Sequence, residues 1–249
     1  MAFEPEIDPA IGRLRPDFAA LSVTVRNGRN GASDPASAAM LAAAAAQPDE
    51  APPWAAAHLE SWREAYRAFG AKPQRTSCSA EALRRRRETL PQVNALVDTY
   101  NALSVRFAVP IGGEDLAAYA GSPRLLVAAG GEPFATTRDG AAVVEPVDRG
   151  EVVWRDDAGV TCRRWNWRQT PRTRLEAHSA AMWFVIERLE PMPLEAVAAV
   201  GDALAAAVRA RAPEAEIAIG WLRRPDGAGD GRGTNHPTSA SSAWRSSTR

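Results

Sequence analysis

The hydrophobic residues between Leu90 and Asp115 recur with the spacing of an amphipathic helix. Steps of three and four separate the apolar positions, which are Val93, Leu96, Val97, Tyr100, Leu103 and Phe107. We predict a core helix that begins at Pro91, a residue suited to the first helical turn, and that ends before Pro110. Gly112-Gly113 then predicts a sharp turn or a close approach of the backbone to a ligand, and Glu114-Asp115 places two carboxylates directly after it. The pattern indicates a core helix that delivers a polar loop.

Further periodic segments predict helices and strands on both sides of this helix. The alternation of Leu21, Val23 and Val25 with polar residues indicates a half-buried strand. The other predicted elements are an Ala-rich helix over Pro35–Ala46, a helix with Leu59, Trp62, Tyr66 and Phe69 on one face, a buried strand over Met182–Leu189, an amphipathic helix over Leu194–Arg211, and a last strand with Ile217, Ile219 and Trp221.

Between Gly121 and Trp167, glycine turns recur about every ten residues, as in short antiparallel strands joined by hairpins. The turns are Gly130-Gly131, Asp139-Gly140, Arg149-Gly150 and Asp157-Ala158-Gly159. Together with the helices, these strands predict an α+β fold, a layered single domain with a mainly antiparallel sheet core, sandwich or barrel-like, flanked by helices.

Candidate functional residues lie at the hairpin around Ala158-Gly159 and in the strand after it. Asp156 and Asp157 lie at its turn, and the strand that follows is predicted to end in Trp165-Asn166-Trp167-Arg168. On a strand the two tryptophans would share one side, and Asn166 and Arg168 the other, as in a pocket that stacks a ring and orients a polar ligand. Alternatively, the tryptophans are core residues or cover the sheet edge, and Arg168 pairs with Asp156 or Asp157. For the tryptophans alone, the core is the simpler interpretation.

Charge and composition restrict the possible partners. The 249 residues contain 30 Lys plus Arg and 30 Asp plus Glu, so no global basic field supports bulk nucleic-acid or DNA binding. An RNA partner would need a local patch. The candidate residues for it are Arg75, Arg84, Arg85, Arg86 and Arg87, although such an arginine run is also typical of a solvated helix face.

The sequence indicates a soluble, cytoplasmic protein without a metal or cofactor. No apolar stretch reaches the roughly 18 residues that span a bilayer, and the N-terminus lacks a signal-peptide pattern. The two cysteines, Cys78 and Cys162, are expected to be free thiols. Three scattered histidines give no metal-ligand spacing, and Gly112-Gly113 lacks the Lys-Ser/Thr of a phosphate loop. Residues 223–249 have no hydrophobic period and are predicted to be a disordered tail.

Five sequence segments carry a resemblance to a known family: Val93–Asn101, Val109–Asp115, Gly131-Glu132, Asp157–Val160 and Arg164–Arg168. Taken together, they resemble the B3/B4 tRNA-binding domain, the editing module of the phenylalanyl-tRNA synthetase beta subunit, in its freestanding form. The resemblance covers about Leu14 to Leu222. It sets residues 1–13 apart as an N-terminal extension.

The resemblance implies the synthetase module's fold and an aminoacyl-tRNA deacylase, which hydrolyses the ester between a wrong amino acid and the terminal adenosine of its tRNA. Such a pocket must orient water and the ester carbonyl. Glu114 or Asp156 is the candidate for the water, and Asn166, Arg168 or glycine-turn N–H groups for the carbonyl oxygen. The implied catalytic residues are therefore Glu114, Asp156 and Asn166, and the implied substrate-binding residues are Gly112, Gly113, Asp115, Asp157, Trp165, Trp167, Arg168 and Thr173.

Gly112 stands where the synthetase turn has a histidine, so the role of that histidine cannot be transferred. Thr161, Cys162 and Arg163 follow Val160 where the synthetase strand continues with glycines, which predicts a different pocket. Two functions remain open: a deacylase that acts in trans on aminoacyl-tRNA, and a noncatalytic module that binds tRNA or an amino acid for a partner such as an aminoacyl-tRNA synthetase. Both need Gly112 and Asn166 to form two walls of one cleft.

Overall fold

A computed structural model describes residues 3–46 and 51–225 of the chain. The helices in this part are α1 (Pro9–Leu14), α2 (Pro35–Ala46), α3 (Ala55–Ala68), α4 (Ser79–Arg85), α5 (Ala95–Phe107) and α6 (Leu194–Arg211). The strands are β1 (Glu6–Ile7), β2 (Ala19–Arg26), β3 (Ile111–Asp115), β4 (Arg124–Val127), β5 (Pro133–Arg138), β6 (Ala141–Pro146), β7 (Val152–Arg155), β8 (Val160–Arg163), β9 (Arg168–Gln169), β10 (Met182–Arg188) and β11 (Glu216–Arg223). Single 3-10 turns follow α4 at Arg87–Thr89 and β3 at Leu116–Ala118.

The strands form three sheets, and the predicted α+β class is confirmed. A four-stranded antiparallel sheet has the order β11-β2-β10-β3, a five-stranded sheet has the order β1-β4-β7-β8-β9, and β5 pairs with β6 alone. The pairing is antiparallel except between β1 and β4. Of the two shapes left open by the sequence, a closed barrel is wrong, because the described sheets end in unpaired edge strands.

The four-stranded sheet is the middle layer and is buried on both faces. Phe184 and Ile186 of β10 belong to one core, which also includes the apolar faces of α5 and α6. Trp183 and Val185, which alternate with them, belong to a second core with Trp62 of α3 and residues of the five-stranded sheet. Because successive side chains of a strand point to opposite faces, this single strand contributes to both cores. The candidate cleft described below lies on the side of the second core.

The predicted helix and its end before Pro110 are confirmed, but the helix begins later than predicted. Asn94 is the N-cap and its side chain accepts a hydrogen bond from the amide of Val97, so α5 begins at Ala95 and Pro91 lies outside it. Val93, expected on the buried stripe, is therefore 57% exposed. The start of the helix is therefore set by the Asn94 cap and not by Pro91.

The predicted sharp turn at Gly112-Gly113 is wrong. Both glycines lie within β3, which pairs with β10 in the register Gly112 to Val185 and Gly113 to Phe184. A Cβ on Gly113 would lie 2.7 Å from Cε1 of Tyr100, so this glycine allows close packing. The backbone of this segment is therefore a strand of the middle sheet, which removes the proposed carbonyl-binding glycine turn.

The predicted boundaries fall partly outside the described chain. Within the segment 1–13, β1 pairs with β4 and Ile11 of α1 is fully buried, so the described residues of this segment pack onto the fold. The predicted disordered tail, 223–249, lies mostly outside the described residues, since only 223–225 are described. In the parts of the chain that are described, none of the helices combines the length and apolar character needed to cross a membrane.

Candidate functional site

The floor of the candidate cleft consists of alternate residues of β3 and β10. Gly112 lies opposite Val185 and Glu114 lies opposite Trp183, so these cross-strand pairs share one face of the sheet. Glu187 continues the same face along β10. The cleft above this floor has a volume of about 240 Å³. Gly112 adds no side chain to it and leaves that part of the floor open.

Helices α4 and α5, strands β7 to β9 and the turn after β8 form the walls of this cleft. The wall residues are Ser79, Ala82, Leu83, Arg86, Tyr100, Asn101, Trp154, Cys162, Trp165, Asn166, Trp167 and Gln169. The structure thus brings Gly112 and Asn166, which are distant in sequence, to one cleft.

Residues Arg164 to Trp167 form a tight turn between β8 and β9, so the predicted strand ending in these residues is wrong. Arg164 and Trp165 both have positive φ angles, 47° and 69°, which reverse the chain direction. Trp165 is fully buried, with its ring centroid 5.3 Å from that of Trp62. Trp167 is only half-buried and lies beneath the guanidinium of Arg164, 4.6 Å from ring centroid to Cζ. One tryptophan is therefore mainly core, as the simpler interpretation had it, and the other faces the cleft mouth.

Asn166 stands at the centre of a chain of buried hydrogen bonds. Tyr66 donates its hydroxyl to Oδ1 of Asn166 at 3.0 Å, and Nδ2 of Asn166 donates to Oε2 of Glu187 at 2.9 Å. Trp154 donates its indole N–H to Oε1 of Glu187, also at 2.9 Å. This chain fixes the position of Asn166 in the cleft. One N–H of its amide is left for a ligand.

Two carboxyl groups in the cleft hold their protons more tightly than usual. Burial raises the pKa of Glu187 to about 7, although hydrogen bonds from Asn166 and Trp154 favour its ionised form. Burial also raises the pKa of Glu114 to about 8. At neutral pH the cleft consequently carries much less negative charge than two ordinary glutamates would give it.

Glu114 is the less well satisfied of the two carboxyls. It is 5% exposed, and its Oε2 atom is buried without a hydrogen bond of normal geometry to any described residue. Thr173, Gln169 and Tyr119 are close enough to favour its ionised form, yet the hydroxyls of Thr173 and Tyr119 likewise lack a well-formed hydrogen bond. Glu114 lines the cleft, and a buried carboxylate oxygen without a partner calls for a water molecule or a ligand.

Asp156 lies outside the lining of this cleft. Its carboxylate is 0% exposed and accepts hydrogen bonds from Arg172 at 2.9 and 2.8 Å and from the amide of Ala120 at 2.8 Å. Burial raises its pKa, but these hydrogen bonds outweigh burial and hold the pKa below its usual range. The pairing predicted for Arg168 is made by Arg172 instead. Asp156 organises the hairpin turn, because it also accepts from the amides of Ala158 and Gly159.

Several other predicted substrate-binding residues have structural partners. Asp115 accepts from the amide of Ala117 at 2.9 Å and from the hydroxyl of Ser179 at 2.5 Å. Asp157 forms an exposed ion pair with Arg124 at 2.8 Å. Arg168 donates to the carbonyl of Thr137 at 3.1 Å and does not line the cleft. Gly113 and Thr173 are buried beside Glu114, where Gly113 accepts from Nε2 of Gln169 at 2.9 Å.

The predicted arginine patch is divided between the cleft and the surface. Arg84 and Arg85 belong to α4, Arg86 and Arg87 follow it directly, and Arg75 is exposed in the loop before the helix. Of these five residues, Arg86 lines the cleft.

Glu187 is the main residue that the sequence analysis missed. A signal for it existed, because a glutamate interrupts the apolar run of the predicted strand Met182–Leu189. Charged residues are rarely buried unless they are paired, so a glutamate at this position indicates a polar network. Tyr66 and Gln169, which belong to the same cleft region, gave no comparable signal.

The fold and the cleft define an α+β domain with a half-open, aromatic-lined pocket that contains two buried carboxyl groups. The profile of the B3/4 domain matches residues 61–199, which is more than half of the chain, so this chain belongs to the B3/4 domain family. That domain is also found in the beta subunit of phenylalanyl-tRNA synthetase. None of the curated proteins matches the chain.

Proposed function

We propose that this protein is a hydrolase that acts in trans on misacylated aminoacyl-tRNA and cleaves the ester at the terminal adenosine. Membership of the B3/4 domain family suggests a function related to tRNA. The observation that supports hydrolysis most strongly is that Glu114, whose buried Oε2 has no hydrogen-bond partner among the described residues, lines the same cleft as Asn166.

Glu114 is the proposed general base. In its ionised form, it takes a proton from a water molecule whose oxygen attacks the ester carbonyl carbon. The bond between the carbonyl carbon and the ribose oxygen then breaks, and the carboxyl returns the proton to that oxygen. With a pKa of about 8, close to neutral, the same group can accept and donate this proton.

Asn166 is the proposed partner of the carbonyl oxygen. The amide N–H that Glu187 does not use can donate to the developing negative charge, and the contacts with Tyr66 and Glu187 hold it in place. Trp167 and Tyr100 would border the amino-acid side chain, since both line the cleft. Arg168 and Asp156 have no part in this mechanism, because neither lines the cleft.

The test is a panel of tRNAs, each carrying a single labelled amino acid. The wild-type protein is expected to release at least one of them, and Glu114→Gln to release it about 100-fold more slowly or worse. Asp156→Asn is the matched control, because it changes an acid outside the cleft. The folded fraction of this variant should release the amino acid at the wild-type rate. Failure of the wild type to release any amino acid would contradict the proposal.

A noncatalytic module that binds tRNA or an amino acid for a partner protein is the second candidate. It is favoured by the hydrogen bonds of Asn166, which already occupy Oδ1 and one N–H of its amide and so suit a rigid binding site. Such a module would bind uncharged and charged tRNA without releasing the amino acid. The panel therefore separates the two candidates.

A further inference from the structure

Helix α4 turns one face toward the cleft. Ser79, Ala82, Leu83 and Arg86 all line it, at the spacing of one side of a helix. Two contacts hold this face in position. The amide of Ser79 donates to the carbonyl of Asn166 at 3.1 Å, and Arg63 of α3 pairs with Glu81 at 2.6 Å.

The arginines on either side of Arg86 are already engaged. Arg84 donates to the carbonyl of Val105 at 2.5 Å, and Arg85 pairs with Glu81. Arg87 donates to the carbonyl of Arg84 at 3.4 Å and lies 3.9 Å from Glu88. Arg86 is exposed at the cleft mouth, and its guanidinium makes no hydrogen bond or ion pair with the described residues.

Two further polar groups in the cleft are without a side-chain hydrogen bond in the described structure. The hydroxyl of Ser79 is buried and makes no hydrogen bond to a described residue. Asn101 of α5 also lines the cleft and is half-buried. An exposed cation in the same cleft as a hydroxyl and a carboxamide is a set of groups suited to a phosphate and its sugar.

We infer that Arg86 binds the 5′-phosphate of the terminal nucleotide of the RNA, with Ser79 and Asn101 facing its ribose. This inference rests on the proposed function, since it assigns the nucleotide end of the same substrate. It also separates Arg86 from Arg84, Arg85 and Arg87, whose contacts are structural. Because burial raises the pKa of both Glu114 and Glu187, the cleft would repel this anionic group less than two ordinary glutamates would.

The test measures binding of uncharged nucleic acid, so it does not depend on hydrolysis. Adenosine 5′-monophosphate, adenosine and a short RNA ending in CCA are titrated by calorimetry into the wild type, Arg86→Ala, Arg86→Lys and Arg85→Ala. Arg85→Ala is the matched control, because it removes the arginine next to Arg86. Arg85 is the last residue of α4 and pairs with Glu81.

Arg86→Ala is expected to weaken binding of the monophosphate and of the RNA about tenfold, the effect of losing a charge-assisted hydrogen bond, and to leave adenosine unchanged. The slope of log affinity against log salt for the RNA should fall by about 0.7, the value for one single-strand phosphate contact. Arg86→Lys should lose less, and Arg85→Ala should bind like the wild type.

Equal losses in Arg86→Ala and Arg85→Ala, equal losses for adenosine and its monophosphate, or no binding of either probe by the wild type would overturn this inference. If the wild type releases an amino acid from tRNA while Arg86→Ala binds RNA normally, the deacylase proposal stands and the assignment of Arg86 is wrong. If binding depends on Arg86 but no release occurs, the deacylase proposal is wrong and the nucleotide site stands.

Discussion

The side-chain amide of Asn166 donates to the carboxyl of Glu187 over 2.9 Å and so joins the turn after β8 to β10, an inner strand of the four-stranded sheet. This contact links the five-stranded and four-stranded sheets at the cleft. The shape of the site therefore depends on a hydrogen bond between residues 21 positions apart in the sequence.

Asn166→Ala should destabilise the protein as well as alter the site. It would leave the hydroxyl of Tyr66 and one oxygen of Glu187 buried without their partner, which costs roughly 2–4 kcal/mol of unfolding free energy. Urea unfolding followed by tryptophan fluorescence measures this change. Asn101→Ala, a cleft variant without such hydrogen bonds in the described structure, should lose less than about 1 kcal/mol. Equal losses would contradict the role given to Asn166.

Asp156→Asn should affect stability and spare the chemistry. The substitution weakens the pairing with Arg172 and the hydrogen bonds to the hairpin turn. The expected loss of unfolding free energy is about 2–3 kcal/mol, which is less than for a fully buried ion pair because Arg172 is partly exposed. Release of an amino acid per folded molecule should stay within about twofold of the wild type. If Asp156→Asn is folded but releases the amino acid much more slowly than the wild type, Asp156 takes part in catalysis and this prediction is wrong.

Glu114 should make the wild type less stable as the pH rises. Below about pH 4.5 the carboxyl is protonated in both the folded and unfolded states. Between that value and about 8 it ionises in the unfolded chain while the folded protein keeps its proton, so the free energy of unfolding falls across this window.

Glu114→Gln has no such titration and provides the comparison. The unfolding free energy of the wild type should decrease relative to the variant on the order of 3 kcal/mol between pH 4.5 and pH 8. Denaturant unfolding at several pH values gives the unfolding free energy of both proteins as a function of pH. Subtracting one curve from the other removes the contributions of the titrating groups that the two proteins share. Parallel curves would show that the pKa of Glu114 is not raised.

The two glycines of β3 should differ in their tolerance of a methyl group. Gly113→Ala would place a Cβ 2.7 Å from Tyr100, which forces a shift and costs about 1–3 kcal/mol. Gly112→Ala would place it 3.3 Å from Val185 and facing the cleft, so its cost in unfolding free energy should be smaller while ligand binding weakens. Thermal unfolding of both variants ranks them. The reverse order would contradict the register of β3.

Periodic hydrophobic patterns predicted most of the fold because they are local in the sequence. A buried helix face repeats every three or four residues and a buried strand face every two. The buried faces of α3 and α6, the strand β10 and the hairpins at the glycine turns were found in this way. Where a side chain competed with the pattern, the prediction failed, as at Asn94, whose cap moved the start of α5.

The candidate site was harder to predict because its geometry arises between elements. Gly112-Gly113 is typical of a turn in isolation, yet pairing with β10 makes it a strand. Asp156 and Glu114 both have the chemistry of a catalytic acid. Only the three-dimensional contacts show that Arg172 pairs with Asp156, whereas Glu114 lines a cleft and has an oxygen without a hydrogen-bond partner among the described residues.

The most direct test of the proposed role of Glu114 is the pH dependence of single-turnover release from the aminoacyl-tRNA that the panel identifies. With a base whose pKa is about 8, the wild-type rate, corrected for spontaneous hydrolysis, should rise about tenfold per pH unit below pH 8 and level off above it. Glu114→Gln should show no such enzyme-dependent rise. A wild-type rate that is flat between pH 6 and pH 8, or a variant that reproduces the wild-type profile, would contradict catalysis by Glu114.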